Sequence, residues 1–189
     1  MKEPVKINRI LLIHSSHYDD EGRVVRADTL YDRLTVANLV HMALPLLASY
    51  IPSYIEVELV EDCFEEVNFD DPAEVVCISA QVMQCDRADD LADEFQKRGK
   101  VVLMGGYYPT MHPDRASLHS DAICTGEADK IFTSMLDDIE RGELKPLYQG
   151  SSDFSLDDQP TPRYDLIKRS HFTFYPVQVT RGCPFKCDY

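Results

Sequence analysis

VVCISAQVMQCDRADDLADEFQKRGKVVLMGG, residues 75–106, reads as strand, helix and strand in immediate succession. Val75–Ser79 and residues 101–104 are short apolar runs without polar alternation, as expected of strands covered on both faces. Between them, residues 85–98 place Ala88, Leu91, Ala92 and Phe95 on one helical face with charged residues opposite, and Gly99 stops the helix. A strand passing through a helix into a second apolar strand is the repeating unit of a parallel sheet.

The same rhythm extends in both directions. Residues 9–13, 55–60 and 122–124 supply three more apolar runs, and residues 128–141 repeat the amphipathic pattern with Ile131, Phe132, Met135, Leu136 and Ile139 inward and Gly142 as the stop. Pro45 interrupts the helical pattern of the first crossover, so a packing helix is expected to start near it, with residues 14–44 as an elaborated connection. The expectation is an α/β, doubly wound, flavodoxin- or Rossmann-like parallel sheet of five strands in the order 2-1-3-4-5. It occupies residues 1–149. Residues 150–171, with SSDFSLDDQPTPRYD and no period, read as a linker, and 172–189 as the start of a second domain whose first strand is FTFYPVQVT, 172–180.

Hydrophobic residues at 44% and charged residues at 28% are those of a folded globular chain. The 33 acidic against 19 basic side chains leave a net charge of −14, which repels polyanions and argues against nucleic acid as a partner. The apolar run near residue 10 is too brief for a signal-peptide core or a membrane span. Cys63, Cys77, Cys85 and Cys124 are scattered through packing segments without a disulfide-like pattern, which fits reduced thiols and a cytoplasmic protein.

In a doubly wound sheet, ligands collect outside the carboxyl ends of the strands. Those ends read His14-Ser15-Ser16-His17, Ser79-Ala80-Gln81, Gly105-Gly106-Tyr107-Tyr108 and Thr125-Gly126-Glu127. Paired glycines allow positive φ and close approach of a ligand to the backbone; equally, they can mark nothing more than a tight turn. Ser79 taken alone can simply satisfy a neighbouring backbone group. A phosphoacceptor receiver would need an aspartate where Ser79 stands, and a dinucleotide site would need a Gly-x-Gly-x-x-Gly turn where HSSHYDDEG stands. Flavin mononucleotide is left open, though no phosphate loop is recognisable.

The combination of Ser79 with Gly105-Gly106 on successive strands resembles the serine and double-glycine elements of cobalamin-binding domains. The order ALPLLASYIP, VVCISAQ, VVLMGGYYPTMHP, DAICTGEADKIF, TPRYDLIKR and VTRGCPFKCDY is similar to that of cobalamin-binding radical S-adenosylmethionine proteins across nearly the whole chain. The resemblance implies a cofactor site at His14, Ser15, Ser79, Gln81, Gly105, Gly106, Tyr107, Tyr108, Gly126 and Glu127, with Ser79 meeting the dimethylbenzimidazole end and the glycines leaving room for the tail. The Asp-x-His-x-x-Gly sequence that supplies a cobalt-binding histidine in other branches is replaced by HSSHYDDEG. His14 and His17 therefore stand either as ligands or, more simply, as hydrogen-bonded strand-end residues.

Cys183 and Cys187 match the first spacing of the family's Cys-x-x-x-Cys-x-x-Cys motif, in which three thiolates hold a [4Fe–4S] cluster that binds S-adenosylmethionine. The next position after Tyr189 would carry the third cysteine. Read without the resemblance, the pair is half of a zinc site or two ordinary thiols. The family implies that cobalamin delivers a methyl group, or supports cyclisation, in a parent enzyme whose own radical barrel is the domain's partner. This chain alone is expected to be inactive. The competing function is an interaction or structural domain that kept the fold and lost cobalamin.

Overall fold

The computed structural model describes residues 3–27, 41–150, 156, 159–168, 172, 174–181 and 185. Six parallel strands form one sheet in the order 2-1-3-4-5-6: β1 Arg9–His14, β2 Glu56–Glu61, β3 Val75–Ser79, β4 Val101–Gly105, β5 Ala122–Thr125 and β6 Leu147–Gln149. The parallel, doubly wound class and the order of the first five strands agree with the sequence reading. The strand count is six, not five. β6 is only LYQ between Pro146 and Gly150, and its one buried side chain, Tyr148, is too little pattern to recognise. It is held by ladder bonds to β5 and by the Tyr148 hydroxyl, which donates to Asp138 Oδ2 at 2.8 Å.

The helices follow from their apolar faces. α1 is Ala43–Ala48, with Pro45 in its first turn; α2 is Cys85–Lys97; α3 is Tyr107–Met111; α4 is Pro113–Ala116; α5 is Phe132–Arg141. Alternation along the strands divides the interior into two cores. Ile10, Leu12, Leu59, Val75, Cys77, Leu103 and Cys124 pack with Leu44 and Ala48 of α1 and Phe132, Met135, Leu136 and Ile139 of α5. Leu11, Ile13, Val76, Ile78, Val102 and Met104 pack on the other face with Ala88, Leu91, Ala92 and Phe95 of α2 and Tyr108 of α3. α5 begins at Phe132 rather than at residue 128, and α3 and α4 lie between β4 and β5, where the sequence reading placed no helix.

Two features lie beyond this frame. The segment expected as a strand over 172–180 has no strand at residues 175–180. Pro176 contributes no N–H to a ladder, and its carbonyl is taken by the Tyr164 hydroxyl. The described part of the expected linker lies against the domain: Arg163 N–H donates to Pro45 O at 2.8 Å, and Ile167 and Phe172 form a small cluster with Phe64 and Tyr164. No helix among the described residues is long and apolar enough to cross a membrane.

Candidate functional site: a cleft at the carboxyl ends of β3, β4 and β5

Strand register sets one row of side chains across the carboxyl edge of the sheet. His14 pairs with Glu61 on one side and Ser79 on the other, and Ser79 pairs with Gly105. By alternation all four lie on the face carrying α1 and α5, two residues beyond Leu12, Leu59, Cys77 and Leu103. A cleft of about 700 Å³ opens there. Ser79 and Gly105 stand at its mouth. Cys77, Leu103 and Cys124 form the floor one pleat deeper, roughly 7 Å down the strands. Leu44 and Leu47 of α1 and Phe132 and Met135 of α5 make the side walls. The arrangement is an apolar slot with a narrow polar lip, the form of a site that holds a flat apolar group by burial and orients it at one end.

The two glycines differ in what they do. A Cβ on Gly105 would meet nothing within 4 Å, so the absence of a side chain leaves open space in the cleft. Gly106 has φ +98°, and a Cβ there would lie 2.7 Å from Ala80 O and 3.3 Å from Ser79 Oγ. It is glycine because β4 turns into α3 directly against the end of β3, where Tyr108 N–H donates to Ala80 O at 3.0 Å. Thr110 ties this turn to the next one: its hydroxyl donates to Gly106 O at 2.8 Å and accepts from Gly126 N–H at 3.0 Å. The residues present fit the nucleotide tail of a cobalamin, since the open volume lies where Gly105 lacks a side chain and where the floor is built from thiols and a leucine.

Of the residues expected from sequence, Ser79, Gln81, Gly105, Gly106, Tyr107, Gly126 and Glu127 line the cleft. Tyr107 is exposed at the rim. Tyr108 is fully buried on the opposite face, its hydroxyl donating to Asp89 Oδ1 at 2.7 Å, so two adjacent tyrosines belong to different environments. His14 and Ser15 do not line the cleft. Ser15 is buried with its hydroxyl on Ser16 O at 2.9 Å. Cys183 and Cys187 lie outside the described residues.

His14 is buried with Nδ1 3.0 Å from Glu61 Oε2, while its Nε2 and Glu61 Oε1 have no hydrogen-bond partner among the described residues. Its ring is covered by that of His41, with centroids 3.8 Å apart. His41 is the histidine that reaches the cleft, and desolvation of its ring, helped by His14, pushes its pKa down to about 4, so it is neutral near pH 7. Sequence reading did not single out His41, because the only signal it carried was a position just before the packing helix. Arg181 and Asp129 were missed for the same reason: nothing local marks them as cleft residues. Burial pushes the Cys77 and Cys124 thiols up to about 12, which makes them packing groups rather than nucleophiles. No group of three or more metal-ligating side chains occurs among the described residues.

The chain is 39% identical over 160 residues to the bacteriochlorophyllide d C-8(2)-methyltransferase of Chlorobaculum tepidum, an overlap covering 80% of this chain and 35% of that protein. It is related to methyltransferases. The bacteriochlorophyllide d C-12(1)-methyltransferase of the same organism is 31% identical over 121 residues, 61% of this chain and 26% of its own. The hopanoid C-2 methylase of Rhodopseudomonas palustris is 22% identical over 188 residues, 96% of this chain and 35% of its own. The chain thus spans about a third of the length of these relatives. No family model matches it. The overlap with the C-8(2)-methyltransferase covers too much of the chain to avoid the sheet, so the likeness involves the domain that builds the cleft.

Proposed function

We propose that this chain is the cobalamin-binding unit of a radical S-adenosylmethionine methyltransferase. The observation that carries the reading is the slot between α1 and α5, floored by Cys77, Leu103 and Cys124 and kept open at its mouth by Gly105. In this reading α1 and α5 would bury the dimethylbenzimidazole tail in the slot, Ser79 would offer its hydroxyl at the lip, and Tyr107 would lie beside the corrin ring. His14, committed to Glu61 and covered by His41, holds the strand end rather than the cobalt. When bound, cobalamin supplies methyl-group transfer, and the protein's part is to bury the tail and orient the ring. Cys183 and Cys187, with a third thiolate, would hold a [4Fe–4S] cluster that binds S-adenosylmethionine, and the barrel around it would be the domain's partner. Relatedness to methyltransferases supports methyl transfer over cyclisation.

Titration with hydroxocobalamin followed by absorption spectroscopy tests the reading. A saturable change is expected, and the cob(II)alamin form should show an electron paramagnetic resonance signal without nitrogen superhyperfine splitting if the slot beside Ser79 and Gly105 holds the benzimidazole. Absence of any saturable change would return the domain to a ligand-free interaction role.

A further inference from the structure

The described residues after β6 are fastened to the domain at several points. Arg163 is bonded through its backbone to Pro45 in α1, Lys168 pairs with Glu65, and Phe172 packs edge to face on Phe64 with centroids 5.1 Å apart. The run ends at Arg181, which with Gln178 forms part of the cleft wall. The Arg181 guanidinium bridges Glu127 and Asp129, two carboxylates on the loop between β5 and α5. The Arg181 and Asp129 side chains are only 13% and 14% exposed, against 45% for Glu127. The Asp129 arm is therefore the one largely removed from water, where loss of one partner strands the other charge. The Glu127 arm is at the rim and adds little. A planar guanidinium can serve both carboxylates at once; an ammonium cannot do so with the same geometry.

We propose that Arg181 pins the Gln178–Arg181 stretch across the mouth of the cleft, closing it on one side over whatever the cleft holds. The pin itself stands on the contacts above; the identity of the occupant rests on the cobalamin reading. Arg181 is a positioning residue, since its contacts are with the carboxylates of its own domain.

Hydrogen exchange and cysteine alkylation of this chain, read by mass spectrometry without any cofactor, test the pin. In Arg181→Met, exchange over residues 174–181 and alkylation of Cys124 in the cleft floor should each rise about tenfold, equivalent to ~1.4 kcal/mol. Exchange in β1 and β3 should not change. Arg181→Lys, which keeps the charge and cannot unfold the domain through charge loss, should give an intermediate rise. Unchanged exchange and alkylation in both variants would overturn the pin. A second arm measures dissociation of hydroxocobalamin, expected to be about tenfold faster in Arg181→Met. A faster-exchanging segment with an unchanged dissociation rate would overturn closure of the cleft. Wild-type protein that shows the exchange and alkylation effects but binds no hydroxocobalamin would uphold the pin and defeat the cobalamin reading.

Discussion

Gly105 and Gly106 are adjacent, yet substitution should separate them into opposite phenotypes. Gly105 belongs to β4 and a Cβ there has open space around it, so Gly105→Val introduces a β-favouring residue whose Cβ meets no neighbour. Removing a strand glycine should leave stability unchanged or raise it by about 0.5–1 kcal/mol. The two added methyl groups project into the slot, where overpacking against a bound tail costs about 1–3 kcal/mol and weakens cobalamin binding roughly tenfold to a hundredfold. Gly106→Val meets the reverse situation. Its φ of +98° and the 2.7 Å approach to Ala80 O mean that the turn must move before any ligand is considered. Destabilisation of about 1–3 kcal/mol is expected, with binding lost as a consequence. Urea unfolding measures the first quantity and hydroxocobalamin titration the second. Full-strength binding by Gly105→Val would refute the slot, and an unaltered urea midpoint in Gly106→Val would refute the backbone argument.

Other side chains give independent expectations. Asp62 is completely buried and accepts from Arg87 Nε at 2.8 Å, Arg87 Nη2 at 2.9 Å and Ser16 N–H at 3.1 Å, so Asp62→Ala should cost about 3–5 kcal/mol in urea unfolding. Glu61→Ala removes the carboxylate that buried His14 Nδ1 meets and should cost about 1–3 kcal/mol, with Glu61→Gln recovering part of it; equal losses for both would mean the bond is not what matters. His41 has a folded pKa near 4 against about 6.5 unfolded, so the unfolded chain takes up the proton first as pH falls. Its contribution is absent above pH 6.5 and stability declines from there towards pH 4; the urea midpoint of His41→Asn should fall less over that window than that of wild type. Cys77 and Cys124, with thiols near 12, should resist iodoacetamide at pH 8 in the folded protein and react on unfolding, while prompt native-state labelling would contradict their burial.

What the sequence determined by itself was the alternation of buried strand and amphipathic helix, because strands covered on both faces are continuous apolar runs and helices beside them are apolar on one side only. Val75–Ser79, Cys85–Lys97 and the glycines at the end of β4 were legible on that ground. β6 was not, since three residues with one inward tyrosine carry no period. The sidedness of the site also lay outside local pattern. Tyr107 and Tyr108 are neighbours of one residue type, and the turn at Gly106 sends one to the rim and the other beneath the sheet to Asp89. The row of Glu61, His14, Ser79 and Gly105 exists only through inter-strand register, His41 meets His14 from the other end of the first crossover, and Arg181 meets Asp129 from 52 positions further along the chain. Periodicity reports which face a residue shows to its own element; which residues meet across the cleft is decided by contacts distant in sequence, and the tertiary structure alone supplies them.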